Sequence, residues 1–126
     1  MRKAWNQGIV LAGISAGSIC WFEEGVTDSF GEGLEPIKCL GFLKGSNCPH
    51  YDGESDRRPS YHKLIYSGDI QAGIAADDGV AIHYIEQNIS NIVSSRPKAK
   101  AYKVYLDNKV MKVIEEELQT NFLGSC

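Results

Sequence analysis

Apolar positions in the first half of the chain fall in short runs rather than helical stripes. Gly8–Ile14, "GIVLAGI", is almost continuously apolar, the pattern of a strand buried on both faces, as in a parallel sheet. "AGSICWF" (16–22) then suits the first turns of a helix packed on that sheet. Glu23–Pro36 mixes glycine with acidic residues and predicts a loop. Ile37–Leu43 reads as a strand, and Lys44–Ser60 as a polar, turn-rich connection. Ser60–Asp69 predicts a helix with Pro59 near its first turn. Ile70–Ser95 holds two apolar runs broken by Asp77-Asp78-Gly79, a turn signal, and Lys100–Glu116 alternates around Asp107-Asn108 as a second hairpin would. The predicted order is strand, helix, strand, loop, helix, then an antiparallel meander. That is an α/β fold with a parallel-sheet strand–turn–helix core and an antiparallel C-terminal meander. No repeat, low-complexity tract or linker divides residues 1–126, which read as a single domain.

Composition narrows the function classes. The 126 residues are 43% hydrophobic and 23% charged, with a net charge of -3. A nucleic-acid binder would usually carry a basic stripe, which this balance argues against. No apolar run approaches the ~20 residues of a membrane span, and the short run after the basic N-terminus does not read as a signal peptide. Cys20, Cys39, Cys48 and Cys126 form no CxxC pair and no zinc-type cluster with histidine. They read as reduced thiols of a cytoplasmic protein, and the pattern calls for neither metal nor cofactor.

The chemistry concentrates at "GISAGS", Gly13–Ser18. Gly-x-Ser-x-Gly between a strand and a helix is a nucleophile elbow. Its turn is tight, so side chains at the flanking positions would collide with strand and helix, and Ser15 Oγ is lifted above the sheet edge. The backbone N–H of Ala16 then points at the developing oxyanion, and the helix adds its positive dipole end. A serine hydroxyl needs a base. Of the three histidines, His83 sits in the alternation "VAIHYI" as a sheet histidine and His62 lies on the predicted helix. His50 follows Pro49 in a loop after a strand, where catalytic groups gather in α/β folds. The carboxylates available to orient it are Asp28, Asp52, Glu54, Asp77 and Asp78. Residue types alone do not choose among them.

Together, "GISAGS", "GVTD" ending in Asp28, "NCPHYDGES" carrying His50 and "GIAADDGVAI" carrying Asp78 resemble the peptidase E (aspartyl dipeptidase) family of serine peptidases, from Gly8 to about Glu116. The resemblance implies a serine-type dipeptidase acting on short peptides, with Ser15 as nucleophile, His50 as general base and Ala16 N–H as oxyanion donor. It matches the orienting acid to Asp78, where the family usually has glutamate, with Asp28 as the alternative. The family's best-known members prefer an N-terminal aspartate. Arg57 and Arg58 lie where such members carry the charges that would hold it.

One departure shapes the expectations. The family places its elbow near the middle of a longer chain, whose first half supplies parallel strands, their helices and a second oxyanion donor. Here the elbow follows Met1 by a few residues. The expectation is a fold lacking those N-terminal strands, weakly active alone and associated as a homo-oligomer or with a complementing N-terminal fragment. The alternatives are an inactive or partner-dependent remnant subunit of the family, or an esterase-like hydrolase using the same elbow.

Overall fold

Helix α3 (Arg57–Ser67) shows how little of this architecture rests on helical propensity. Its buried residues, Arg57, Tyr61 and Ile65, recur every fourth position and face a sheet. The computed structural model describes residues 2–13, 16–27, 35–53 and 57–123. Two one-turn helices, α1 (Arg2–Asn6) and α2 (Ala16–Ile19), precede the strands. The strands are β1 (Phe22–Thr27), β2 (Glu35–Lys38), β3 (Leu43–Cys48), β4 (Gly73–Ala76), β5 (Val80–Ile85), β6 (Asn88–Ser94), β7 (Ala101–Asp107), β8 (Lys112–Leu118) and β9 (Asn121–Phe122).

Six of them form one mixed sheet in the order β2-β1-β3-β4-β7-β8. Its centre is parallel, with β1 beside β3 and β3 beside β4, and both flanks are antiparallel. Helix α3 is the crossover between β3 and β4, as parallel neighbours require. Tyr61 and Ile65 pack with Val26, Cys48, Tyr51, Ile70, Ala75 and Val104 into the core. Strands β5, β6 and β9 make a separate small sheet. The α/β class therefore stands, as does the hairpin around Asp107-Asn108, whose strands close from Ala101↔Leu118 to Asp107↔Lys112.

Several local expectations are corrected. Residues 9–13 form no strand; Ile9 and Val10 are exposed at 52% and 87%. A strand exists only through hydrogen bonds to a neighbour, and both edges of β1 are already taken, by β2 and β3. The helix expected over 16–22 stops at Ile19, because Phe22 enters β1 and is buried there. Glu23 and Glu24 made this segment look like a loop. Their carboxylates instead sit at the rim, accepting hydrogen bonds from Gln71 Nε2 and Gln71 N at 2.7 and 3.2 Å, while Phe22 and Val26 face inward. The strand expected over 37–43 does not form: its ends belong to β2 and β3, a bend at Gly41, whose φ of 75° suits glycine, separates them, and β3 runs on through Cys48 into the segment 44–60 expected to be a turn-rich connection. The Asp77-Asp78-Gly79 turn forms but joins no hairpin: β4 stays in the large sheet and β5 enters the small one. The hairpin partner of β5 is β6, through a turn at Glu86-Gln87.

Candidate active site

The parallel centre of the sheet fixes what can meet. Adjacent parallel strands release their chains at the same edge, and in open α/β sheets the carboxyl edge is where ligands bind. Strand β3 ends at Cys48 and is followed by Pro49-His50; β4 ends at Ala76 and is followed by Asp77-Asp78. Tyr51 N–H donates to Ala76 O at 3.0 Å, tying the two loops together. His50 has a φ of 56°, a left-handed conformation uncommon for a residue with a Cβ and frequent at functional sites. That backbone turns the imidazole toward the neighbouring loop, where Nδ1 meets Asp78 Oδ1 at 2.6 Å. Both side chains remain over a third exposed, 37% and 43%, so the pair is reachable from solvent.

Three further features hold this pair. An alanine Cβ at Gly53 would stand 2.0 Å from Asp78 Oδ2, so only glycine leaves room for the carboxylate in this orientation. Asp52 Oδ1 accepts the Asp78 N–H at 2.8 Å, and Arg96 Nη1 donates both to Asp52 Oδ2 at 2.9 Å and to Asp78 O at 2.8 Å. Partial burial pushes the Asp52 carboxyl up, but the Asp78 N–H and Arg96 outweigh it and hold Asp52 below the usual carboxylate range. Asp77 is buried, with Oδ2 accepting Lys100 N–H at 3.0 Å. Burial, with the Asp52 charge nearby, raises its pKa. It points into the β7 connection rather than at His50.

Ser15 and Asp28 lie outside the described residues. The elbow's flanks are described. A Cβ at Gly13 would stand 2.0 Å from Gly17 O, a collision with backbone that only a main-chain shift relieves, which favours glycine there. Around Gly17 there is open space, which corrects the expectation that both flanking glycines are sterically required. Ala16 begins α2, whose single turn adds little of the expected helix dipole. Helix α2 is tied to the sheet: Ser18 Oγ donates to Asn47 Oδ1 at 3.0 Å, and Asn47 Nδ2 donates to Ile74 O at 3.0 Å. Ile19 packs where Gly25 of β1 has no side chain. Gly13 and Ser18, which bracket Ser15 in sequence, line one cleft of about 1530 Å³ together with Pro49, His50 and Asp78.

Neither Arg57 nor Arg58 is among the described residues that line the cleft. Arg57 is 5% exposed at the start of α3. Arg58 Nε contacts Glu115 Oε2 at 2.8 Å, and its guanidinium lies over the rings of Tyr51 and Tyr102 at 4.8 and 5.0 Å. Tyr51 OH donates to Glu115 and meets His62 Nε2 at 2.7 Å. His62 is therefore a partner in a part-buried polar cluster, a role the helix assignment did not anticipate. Burial pushes the Glu115 carboxyl up, but Arg58 and Tyr51 together hold it below its usual range. His83 is exposed on β5, as a sheet histidine would be. Asp52, Arg96 and Glu115 carry no motif; only their partners across the fold identify them.

Among the described residues, no cluster of histidine, cysteine and acidic side chains is arranged for a metal ion, and no helix is long and apolar enough to cross a membrane. The model of peptidase family S51 matches residues 1–92. The chain is 55% identical over 124 residues to the uncharacterized peptidase YgaJ of Bacillus subtilis (strain 168). That match covers 98% of this chain and 53% of the relative, so the chain spans about half the relative's length. No solved structure matches it.

Proposed function

The chain belongs to peptidase family S51, the peptidase E family, and we propose that it hydrolyses short peptides as a serine peptidase through Ser15, His50 and Asp78. The observation that carries this reading is the 2.6 Å contact between His50 Nδ1 and Asp78 Oδ1 at the carboxyl ends of adjacent parallel strands. With Nδ1–H donated to Asp78, His50 Nε2 is the basic nitrogen. Ser15 Oγ attacks the peptide carbonyl as its proton passes to Nε2. The tetrahedral oxyanion forms against the Ala16 N–H. The C–N bond then breaks and His50 returns the proton to the leaving amine. Water, deprotonated by the same nitrogen, adds to the acyl carbonyl; the C–O bond to Ser15 breaks, the peptide acid leaves and His50 returns the proton to Ser15 Oγ. Asp28 remains the alternative orienting acid.

A preference for N-terminal aspartate would need a cation beside the substrate. Arg58 is engaged by Glu115, and the described cleft residues include Asp77, Asp78 and Glu86 but no lysine or arginine. Short peptides are therefore the proposed substrates, and the cation that an N-terminal aspartate preference would need is not among the described cleft residues. Because the chain spans about half of its relative, the activity is proposed for the assembled protein, with a second copy or a complementing segment as its partner.

Fluorophosphonate labelling tests the reading. Wild-type protein, with or without a complementing segment, should be labelled at Ser15, and Ser15→Ala and His50→Ala should abolish labelling. A folded wild-type protein that resists the reagent in both forms would overturn it.

A further inference from the structure

We propose that Asp52 and Arg96 are positioning residues that hold the Asp78 carboxylate against His50. This rests on the peptidase reading for its consequence but not for its geometry. An aspartate has one methylene between backbone and carboxylate, so its carboxylate is aimed chiefly by the backbone that carries it. Asp78 lies in a turn, is 43% exposed and is followed by Gly79 at φ 84°. Left to itself, such a side chain would sample several rotamers in water.

The surrounding contacts fix, from both sides, the backbone from which that carboxylate is aimed. The Asp78 N–H is held by Asp52 Oδ1 at 2.8 Å, and the Asp78 carbonyl accepts from Arg96 Nη1 at 2.8 Å. Arg96 Nη1 also reaches Asp52 Oδ2 at 2.9 Å, which closes the three residues into a ring. Asp52 is two residues beyond His50, so the ring joins the loop that carries the imidazole to the turn that carries the carboxylate. Arg96 arrives from a third element, just after β6. Its own backbone is fixed, because Arg96 N–H donates to Ser94 Oγ at 3.0 Å and Ser94 Oγ donates to Arg96 O at 2.7 Å. Ser95 N–H donates to Gly79 O at 2.9 Å, zipping that element onto the turn. Ser94 is 1% exposed. Hydrogen bonds to ionised groups are the strong ones, and here two of them meet at Asp78 while a third joins Asp52 to Arg96. An exposed Asp–Arg pair contributes little to overall stability. The value of this arrangement is its aim.

The test compares Arg96→Ala, Asp52→Ala, Arg96→Lys and the control Lys98→Ala, which makes the same charge change two residues away. The first readout is the downfield proton NMR resonance of His50 Nδ1–H bonded to Asp78, assigned by its loss in Asp78→Asn. Arg96→Ala and Asp52→Ala should weaken or abolish it while the thermal midpoint stays near wild type. Arg96→Lys, which keeps a cation with several donors, should restore it, and Lys98→Ala should leave it unchanged. The second readout is turnover: kcat should fall on the order of 10²-fold, the cost of a small misplacement of a reacting group, with KM nearly unchanged. If Asp52→Ala fails to fold, Asp52→Asn keeps the acceptor, loses the charge facing Arg96 and carries the same comparison. Persistence of the wild-type resonance in Arg96→Ala and in the Asp52 variant would overturn the proposal. If wild-type protein, with and without a complementing segment, cleaves no peptide, the peptidase reading fails, and the resonance still decides whether Asp52 and Arg96 position Asp78.

Discussion

In Gly53→Ala, the new Cβ would stand 2.0 Å from Asp78 Oδ2, 2.9 Å from its Cγ and 3.2 Å from Oδ1, where real contacts begin at about 3.0 Å. Something must move by about 1 Å. The backbone of Asp78 is held by Asp52 and Arg96, so the carboxylate rotates instead. A 2.6 Å hydrogen bond does not survive a displacement of that size with its geometry intact. Folding should barely register the change. Alanine removes unfolded-state freedom worth about 0.4–1 kcal/mol, and loss of one half-exposed hydrogen bond costs about 0.5–1.5 kcal/mol, so the two nearly cancel. Chemistry should register it strongly. Loss of the group that orients a catalytic imidazole costs up to about 10⁴-fold in kcat. The assay pairs thermal unfolding with the rate of fluorophosphonate labelling at Ser15 and of peptide turnover. Expected is a near-native melting curve with labelling slowed by orders of magnitude. A folded Gly53→Ala protein that labels and turns over at the wild-type rate would refute the reasoning.

Gly13→Ala and Gly17→Ala should part company although both flank the elbow. The first drives a Cβ onto Gly17 O and should cost about 1–3 kcal/mol by urea denaturation as well as labelling at Ser15. The second enters open space in a helical turn and should be neutral or stabilising by up to about 1 kcal/mol. Glu115→Gln should cost about 1.5–3 kcal/mol at neutral pH, because the carboxylate accepts from both Arg58 and Tyr51. The pH dependence has a definite sign. The folded-state carboxyl titrates below its ordinary value of 4.5, so its contribution is fully present above that value and is lost as pH falls through the folded one. The urea midpoints of wild type and Glu115→Gln should therefore converge in acid, and a gap that is constant from neutral to acid pH would count against the assignment.

Legibility followed range. Helix α3 and the β7–β8 hairpin were readable because each is set by neighbouring residues, a proline near a first turn and alternation about Asp-Asn, although α3 begins at Arg57 rather than at Ser60. Strand β1 was missed because Glu23 and Glu24 suggested solvent, whereas in the sheet they line its rim and only Phe22 and Val26 face inward. The run at residues 9–13 was over-read for the opposite reason. Its apolarity is a strand's, but no position beside β1 is open to it.

By itself the sequence determined the family, since "GISAGS" and "CPH" are local arrangements that are legible without coordinates. It also narrowed the partner of His50 to a handful of carboxylates. Which described carboxylate faces the imidazole was decided only by tertiary structure. Asp78 lies 28 positions beyond His50, and their meeting depends on β3 and β4 being parallel neighbours with their carboxyl ends side by side. The same holds for Arg96, delivered to Asp78 by a separate sheet, and for Glu115, delivered to Arg58 across the fold. Local propensity reports how a residue's own backbone bends. It carries no information on which strand lies beside which, and that order is what brings one charge to another.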